Sequence, residues 1–213
     1  MRRLPVYLVL DTSGSMMGDP IAAVEEGVQK MLVALRQDPY ALETAYLSVI
    51  TFNTNAQQVV PLTELTMFQP PSLTASGTTS LGEALKLLKK KIDEEIVTTT
   101  ATTKGDWKPM VFIMTDGVAT DDWRAGLAEY QKAKVGVTVA CAVGAGASTD
   151  DLKQVTEVVV DMATADANSI AAFFKWVSAS VSTGSQKVEQ GGDIDLGKAS
   201  ELPPPPPEIN LVV

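Results

Sequence analysis

The strongest constraint on the fold is a set of short, uninterrupted apolar runs. Residues 6–10 (VYLVL), 110–114 (MVFIM) and 135–143 (VGVTVACAV) contain almost no polar side chains. Runs of this kind are typical of strands that are buried on both faces of a parallel sheet. Segments with helical spacing of apolar residues separate them, which predicts an α/β fold with helices on both faces of the sheet.

The predicted sheet has six strands and is mostly parallel. These strands are residues 6–10, 45–52, 57–62, 110–114, 135–143 and 158–162. A short turn joins the second and third strands, and this predicts a hairpin with one antiparallel edge strand that contains Pro61. Helices are predicted after an Asp19 N-cap, with Pro20 at the first position and Pro39 marking the end, then over 81–96, from Asp121 or Asp122 to about 133, from about 149, and over 168–181.

The 213-residue chain is long enough for one domain, and its composition changes near the end. Gly, Ser and Asp dominate after Gly184, and five prolines follow at 203–207. We therefore predict a folded domain over residues 1–183 and a mostly irregular, Pro-rich tail over 184–213. The proline run could be a polyproline II ligand for an aromatic groove or a stiff spacer, and composition does not choose between them.

Composition excludes several classes of function. The sequence contains no histidine, which rules out Ser-His-Asp and Cys-His catalysis and any zinc site that needs an imidazole. The net charge of −9 disfavours a nucleic-acid or anionic membrane partner. The single cysteine, Cys141, lies in an apolar run and is predicted to be a buried core residue.

The location is predicted to be cytoplasmic. Arg2 and Arg3 imitate the start of a secretion signal, but the apolar run after them is too short and has no small-residue cleavage site. No segment reaches the roughly 18 apolar residues that a membrane span needs. A lone cysteine also favours a reducing compartment.

Side chains with oxygen atoms follow two of the predicted parallel strands and precede one helix. They are Asp11, Ser13 and Ser15 after the first strand, Thr78 and Thr79 in SGTTSLGEAL, and Asp116 after MVFIM. In open α/β sheets, ligands bind beyond the carboxyl ends of the strands. The first and central strands of such sheets can be neighbours, and this would bring Asp11 and Asp116 together.

Two carboxylates and several hydroxyls are a ligand set for a hard cation such as Mg²⁺. The alternation of polar residues at 11, 13 and 15 lets an extended loop direct three side chains to one side, and Gly14 frees the backbone to turn. Taken alone, DTSGSM is equally typical of a turn followed by a helix cap. The other two segments are therefore needed for the metal-site hypothesis.

DTSGSM resembles the DxSxS signature of the von Willebrand factor A (VWA) domain family, whose metal ion-dependent adhesion site (MIDAS) is assembled from three loops. The resemblance covers about residues 4–183 and implies a Rossmann-like sheet. It implies the metal-binding residues Asp11, Ser13, Ser15, Thr79 and Asp116, and a partner-binding rim of Gly14, Met16, Thr78 and Gly117. Thr79 is preferred over Thr78 because the family threonine usually precedes a GEAL-like helix start by a few residues.

The same resemblance implies a binding module and not an enzyme. It implies Mg²⁺ as the ion, with Mn²⁺ or Ca²⁺ possible, and a protein partner that supplies a carboxylate to the metal. The ending PPPPPEINLVV is similar to that of bacterial tellurite-resistance proteins of the TerY type. This narrower likeness implies a role in chemical stress, with a kinase or phosphatase of a stress operon as the partner.

Two other classes of function stay open at this point. An aspartate after a first parallel strand also occurs in Mg²⁺-dependent phosphatases and phosphotransferases, where Asp11 would be the nucleophile. Those enzymes have a DxD pattern whose second aspartate is the acid or base. Ser13 occupies that position in this sequence, which argues against this function. The third possibility is a structural scaffold whose tail recruits partners without any metal.

Overall fold

The computed structural model describes residues 2–189 and 202–212. One seven-stranded sheet forms its centre, with the strand order β3-β2-β1-β4-β5-β6-β7. The strands are β1 (Leu4–Asp11), β2 (Ala45–Phe52), β3 (Ala56–Glu64), β4 (Met110–Thr115), β5 (Val137–Val143), β6 (Val158–Met162) and β7 (Asn210–Val212). The helices are α1 (Asp19–Arg36), α2 (Pro39–Thr44), α3 (Leu81–Glu95), α4 (Trp123–Tyr130), α5 (Thr149–Val155) and α6 (Ala167–Glu189).

The mostly parallel α/β sheet with an antiparallel hairpin edge is confirmed. The strands from β2 to β6 in the sheet order are parallel, and β3 pairs antiparallel with β2. The prediction of six strands is wrong, because β7 pairs antiparallel with β6 at the opposite edge. The three residues of β7 form a strand through this tertiary pairing, which local sequence does not encode.

The core has two layers, one on each face of the sheet. Along β1, side chains alternate between them, with Leu8 and Leu10 in one cluster and Tyr7 and Val9 in the other. Helices α1 and α6 cover the first face, and α3 and α4 cover the second. Cys141 is fully buried, as predicted. No helix in the described part of the chain has both the length and the hydropathy needed to span a membrane.

The C-terminal segment is packed against the domain. Helix α6 continues through Glu189, past the predicted boundary at 183/184. The Trp176 indole N–H donates a hydrogen bond to the Pro203 carbonyl at 2.7 Å, and Leu202 and Ile209 are buried. Residues 202–209 form no helix or strand, in keeping with their prolines. The rest of the predicted tail, residues 190–201 and 213, lies outside the described residues.

Two helix starts differ from the prediction. Helix α1 begins at Asp19 itself, and its N-cap is Gly18, whose φ of 88° favours glycine. Pro39 does not only follow α1 but begins α2, where Asp38 accepts hydrogen bonds from two backbone N–H groups. Asp122 caps α4, as predicted, by accepting a hydrogen bond from the Ala125 N–H.

Helices α3 and α4 approach each other through a pair of glycines. A Cβ on Gly126 would lie 2.3 Å from the carbonyl oxygen of Gly82. A Cβ on Gly82 would lie 2.7 Å from the Cα of Trp123. Because both obstacles are backbone atoms, neither site can accept a side chain without moving a helix. This close contact ties the segment before α3 to the segment before α4.

We expect Gly126→Ala to destabilise the protein, although alanine is the better helix former. Overpacking costs about 1–3 kcal/mol or more when backbone must move, against a propensity gain of about 1 kcal/mol. Urea unfolding should therefore show a net loss of about 1–2 kcal/mol. Glu129→Ala on the exposed side of α4 is the control and should change stability by less than about 0.5 kcal/mol. Equal or greater stability of Gly126→Ala would contradict this packing.

Candidate metal centre

The candidate site lies where the direction of strand winding changes. Strand β1 pairs in parallel with β2 on one side and β4 on the other, with Leu10 opposite Met114. The loops after β1 and β4 therefore leave the sheet side by side, at the place where open α/β sheets bind ligands. The predicted neighbourhood of the first and central strands is confirmed.

The first loop holds its polar side chains through hydrogen bonds within the loop. The Asp11 carboxylate is buried, and its Oδ1 accepts a hydrogen bond from the Ser13 N–H at 2.7 Å. The Ser13 and Ser15 hydroxyl oxygens lie 3.0 Å apart. A short 3₁₀ turn over Gly14–Met16 produces this spacing. The alternating residues thus bring two hydroxyls together on one side of the loop.

The third loop is joined to the first by two side-chain hydrogen bonds. The Ser15 hydroxyl donates to Asp116 Oδ1 at 2.7 Å. The Thr115 hydroxyl donates to Asp11 Oδ2 at 2.5 Å, and Thr115 is buried. Residues that are about a hundred positions apart in the sequence therefore share one polar cluster.

The second loop places the Thr79 side chain beside this cluster. A Cβ built on Gly117 would lie 3.3 Å from Thr79 Oγ1 and 4.0 Å from Ser15 Oγ, so the Thr79 hydroxyl faces the other two loops. The Thr79 backbone is fixed by Thr120, whose hydroxyl accepts from the Thr79 N–H and whose N–H donates to the Thr79 carbonyl. Only 6% of Thr79 is exposed. Among the described residues, the hydrogen bonds of Thr79 are made by its backbone, which leaves Oγ1 for another partner.

Three residues of the predicted rim, Gly14, Thr78 and Gly117, are half-buried or exposed. The Gly14 N–H donates to the Gly77 carbonyl at 3.0 Å and so joins the first and second loops. Met16 is wrong as a rim residue, because its side chain is fully buried in the core. Its neighbour Met17 is exposed instead.

Sequence reasoning missed the residues that hold the three loops in place. Thr115 could have been predicted as a site residue, since it immediately precedes Asp116 at the end of β4, next to the end of β1. Thr120 and Thr54 gave no local signal. Thr54 accepts a hydrogen bond from the Thr78 N–H at 3.2 Å, and this contact exists only in the folded chain.

The sequence model of the von Willebrand factor type A domain family matches residues 6–175, which is most of the chain. The chain belongs to the von Willebrand factor type A domain family. A comparison with curated proteins finds no significant match.

Solved structures similar to this VWA domain share its fold at low sequence identity. A von Willebrand factor type A protein from Catenulispora acidiphila has a TM-score of 0.63 and 16% identity over 85% of this chain and 43% of that chain. The pilus adhesin SpaC from Lactobacillus rhamnosus GG has a TM-score of 0.69 and 16% identity over 86% of this chain and 31% of that chain. This chain thus spans less than half of either relative.

Proximal thread matrix protein 1 from the mussel byssus has a similar fold, and one structure of it has a zinc-occupied MIDAS motif. Its TM-score is 0.61, with 15% identity over 84% of this chain and 48% of that chain. At this identity the likeness concerns the fold alone.

Burial makes the two carboxylates of the cluster costly to ionise. It raises the pKa of Asp11, although the hydrogen bonds from Ser13 and Thr115 act in the opposite direction. It also raises the pKa of Asp116, and the Ser15 hydrogen bond opposes that shift. The negative charge of Asp116 raises the pKa of Asp11 further. A cation between them would offset this cost.

The donor set fits a small hard cation. Octahedral Mg²⁺ has bonds of 2.0–2.1 Å, which places neighbouring ligand oxygens about 2.9 Å apart. The 3.0 Å between the Ser13 and Ser15 hydroxyl oxygens matches that spacing. Within residues 2–189 and 202–212, no three His, Cys, Asp or Glu side chains form a group that could hold a metal. An ion here would therefore depend on the hydroxyls.

We expect Asp116→Asn to raise the melting temperature of the metal-free protein at pH 7. A carboxyl whose pKa is higher in the folded state loses stability when it ionises, and an amide avoids that loss while still accepting the Ser15 hydrogen bond. The difference should vanish below about pH 3.9, where the unfolded-state carboxyl is also protonated. Calorimetry in EDTA measures it, with the exposed Asp150→Asn as the control. A lower melting temperature for Asp116→Asn at pH 7 would contradict this interpretation.

Proposed function

We propose that this VWA domain is a divalent-metal-dependent protein-interaction module. The observation that carries the proposal is the buried Thr79 side chain, whose Oγ1 lies next to Gly117 on the side of the Ser15 hydroxyl and makes no hydrogen bond among the described residues. Hydroxyls from the first and second loops are thus brought to the same side of the third loop. Because the hydrogen bonds of Thr79 are made by its backbone, its hydroxyl oxygen is available as a metal ligand.

The proposed roles follow from charge and position. Ser13, Ser15 and Thr79 would contact Mg²⁺ directly, and Asp11 and Asp116 would orient hydroxyls or bound water. Neutral direct ligands leave the charge of the ion incompletely neutralised, so it retains affinity for an outside carboxylate. Ser15 is exposed, which gives a partner access to this point. An Asp or Glu side chain of the partner is therefore the proposed ligand.

The choice of ion is part of the proposal. Mg²⁺ prefers an all-oxygen site and commonly keeps several waters, one of which a partner carboxylate can replace. Mn²⁺ and Ca²⁺ also accept oxygen ligands. The zinc-occupied MIDAS of the mussel protein supports a divalent metal in a domain of this fold and does not favour Mg²⁺ over the others.

Thr79→Ala should weaken Mg²⁺ binding at least tenfold, because it removes a direct ligand, and so raise the free energy of binding by about 1.4 kcal/mol or more. Isothermal titration calorimetry with Mg²⁺ and Mn²⁺ measures this directly. Thr78→Ala is the matched control, since the adjacent threonine is exposed and its hydroxyl lies near Thr54. Its affinity should stay within about twofold. Equal metal affinity of the Thr79→Ala and wild-type proteins would reject the proposed centre.

The geometry favours binding over catalysis by Asp11. An attacking carboxylate must reach a substrate phosphorus, yet Asp11 is 1% exposed and each of its oxygens accepts a hydrogen bond. Ser13 supplies no acid or base in the position that such enzymes use. We therefore propose that the domain is not an enzyme. Hydrolysis of an aryl phosphate that is lost in Asp11→Asn would overturn this.

The biological role that we propose is resistance to tellurite and related chemical stress in the cytoplasm, with a kinase or phosphatase of the same operon as partner. The resemblance of the ending PPPPPEINLVV to TerY-type proteins supports the tellurite role, and the lone cysteine supports the cytoplasmic location. Complementation of a deletion strain tests it. Wild-type protein should restore growth on tellurite and Thr79→Ala should not, whereas normal growth of the deletion strain would reject this role.

A further inference from the structure

Two large apolar side chains are exposed beside the proposed metal centre. Met17 is 64% exposed and follows the first loop by two residues after Ser15. Val118 is 55% exposed and follows Asp116 by two residues in the third loop. Two residues of chain span at most about 7 Å, so both lie within the footprint of any partner that reaches the centre. An isolated exposed apolar residue is ordinary, but these two stand on different loops of the same site, so a partner bound there would cover both.

The surroundings of the centre are also strongly acidic. Each helix that follows a parallel strand begins at the carboxyl end of that strand, on the same side of the sheet as the centre. Aspartates lie at the start of every one of these helices: Asp19, Asp121, Asp122, Asp150, Asp151 and Asp166. The arginine in these helix starts, Arg124, is already 3.8 Å from Asp151. A partner therefore meets a negative field around a cation-binding point.

We propose that the partner presents its acidic residue singly, from a surface of apolar and basic side chains. This inference rests on the proposed function, because the metal is what accepts the partner carboxylate. Apolar side chains would cover Met17 and Val118, and Lys or Arg would face the surrounding aspartates. An acidic patch or tail would be repelled before its carboxylate reached the ion.

The partner surface must complement the negative charge around the centre. Exposed charges act over about 10 Å at 0.1 M salt, a distance that covers a small contact surface. Complementary potentials increase the association rate and exclude wrong partners, since like charges that face each other are unfavourable. The metal attracts any carboxylate, so the aspartates around it provide the selectivity.

Peptides with one central Asp test this selectivity. The probes are biotinylated seven-residue peptides in which Leu and Lys, Leu and Glu, Ser and Lys, or two Ser residues flank the Asp on both sides. Binding of the intact chain to each peptide on a streptavidin surface is measured in Mg²⁺ and in EDTA. We expect the Leu–Lys peptide to bind at least tenfold more tightly than the Leu–Glu peptide at about 50 mM salt, and the difference to shrink at about 500 mM.

Two double variants separate the apolar and charged contributions. Met17→Ser with Val118→Ser should remove the preference for Leu over Ser. Val33→Ser is the control, because Val33 is 59% exposed on α1 but lies about 21 Å along the helix from its start. The Met17→Ser, Val118→Ser protein and the Val33→Ser control should both keep wild-type Mg²⁺ affinity in calorimetry.

Asp19→Asn with Asp150→Asn should reduce the preference for Lys over Glu at least threefold. Glu43→Gln with Glu157→Gln is the control, because it removes the same charge from exposed positions just before β2 and β6, at the amino ends of these strands and away from the centre. It should leave that preference unchanged.

The outcomes separate this inference from the proposed function. Mg²⁺-dependent binding of all peptides with equal affinity overturns the inference and leaves the proposed function standing. Absence of peptide binding to a protein that calorimetry shows to be Mg²⁺-loaded also overturns the inference alone. Peptide binding that persists in EDTA, or absence of Mg²⁺ binding, overturns the proposed function and the inference together.

Discussion

The parallel pairing of β1 with β4 is the constraint on which the site depends. It places the ends of two strands side by side, so that Asp11 and Asp116 emerge into one crevice although they are far apart in the sequence. Hydrogen bonds from Thr115 to Asp11 and from Ser15 to Asp116 then fix the two loops against each other. The sheet thus decides where charge can accumulate, and the loops decide which atoms face each other.

That accumulation has a cost in the metal-free protein. Two carboxylates at a partly buried edge resist ionisation, as their raised pKa values show. The hydroxyl network reduces the cost without removing it, because neutral donors do not cancel negative charge. A site of this kind trades stability for affinity, which is a common feature of functional centres. A cation would recover the lost stability by binding only the folded state.

The sequence predicted the parts of this protein that depend on local patterns. Apolar runs identified the parallel strands, and the alternation in DTSGSM together with the family resemblance predicted the five residues of the proposed site. What failed depends on tertiary contacts. Met16 turned out to be buried because the 3₁₀ turn directs it into the core, and β7 exists only through its pairing with β6. The supporting roles of Thr54 and Thr120 likewise arise only when distant loops meet.

Anomalous diffraction from crystals soaked in Mn²⁺ locates the ion without assuming its ligands. We expect one peak at the carboxyl ends of β1 and β4, within bonding distance of the side-chain oxygens of Ser13, Ser15 and Thr79. A peak elsewhere, or an ion bound by carboxylates alone with the Thr79 hydroxyl turned away, would contradict it.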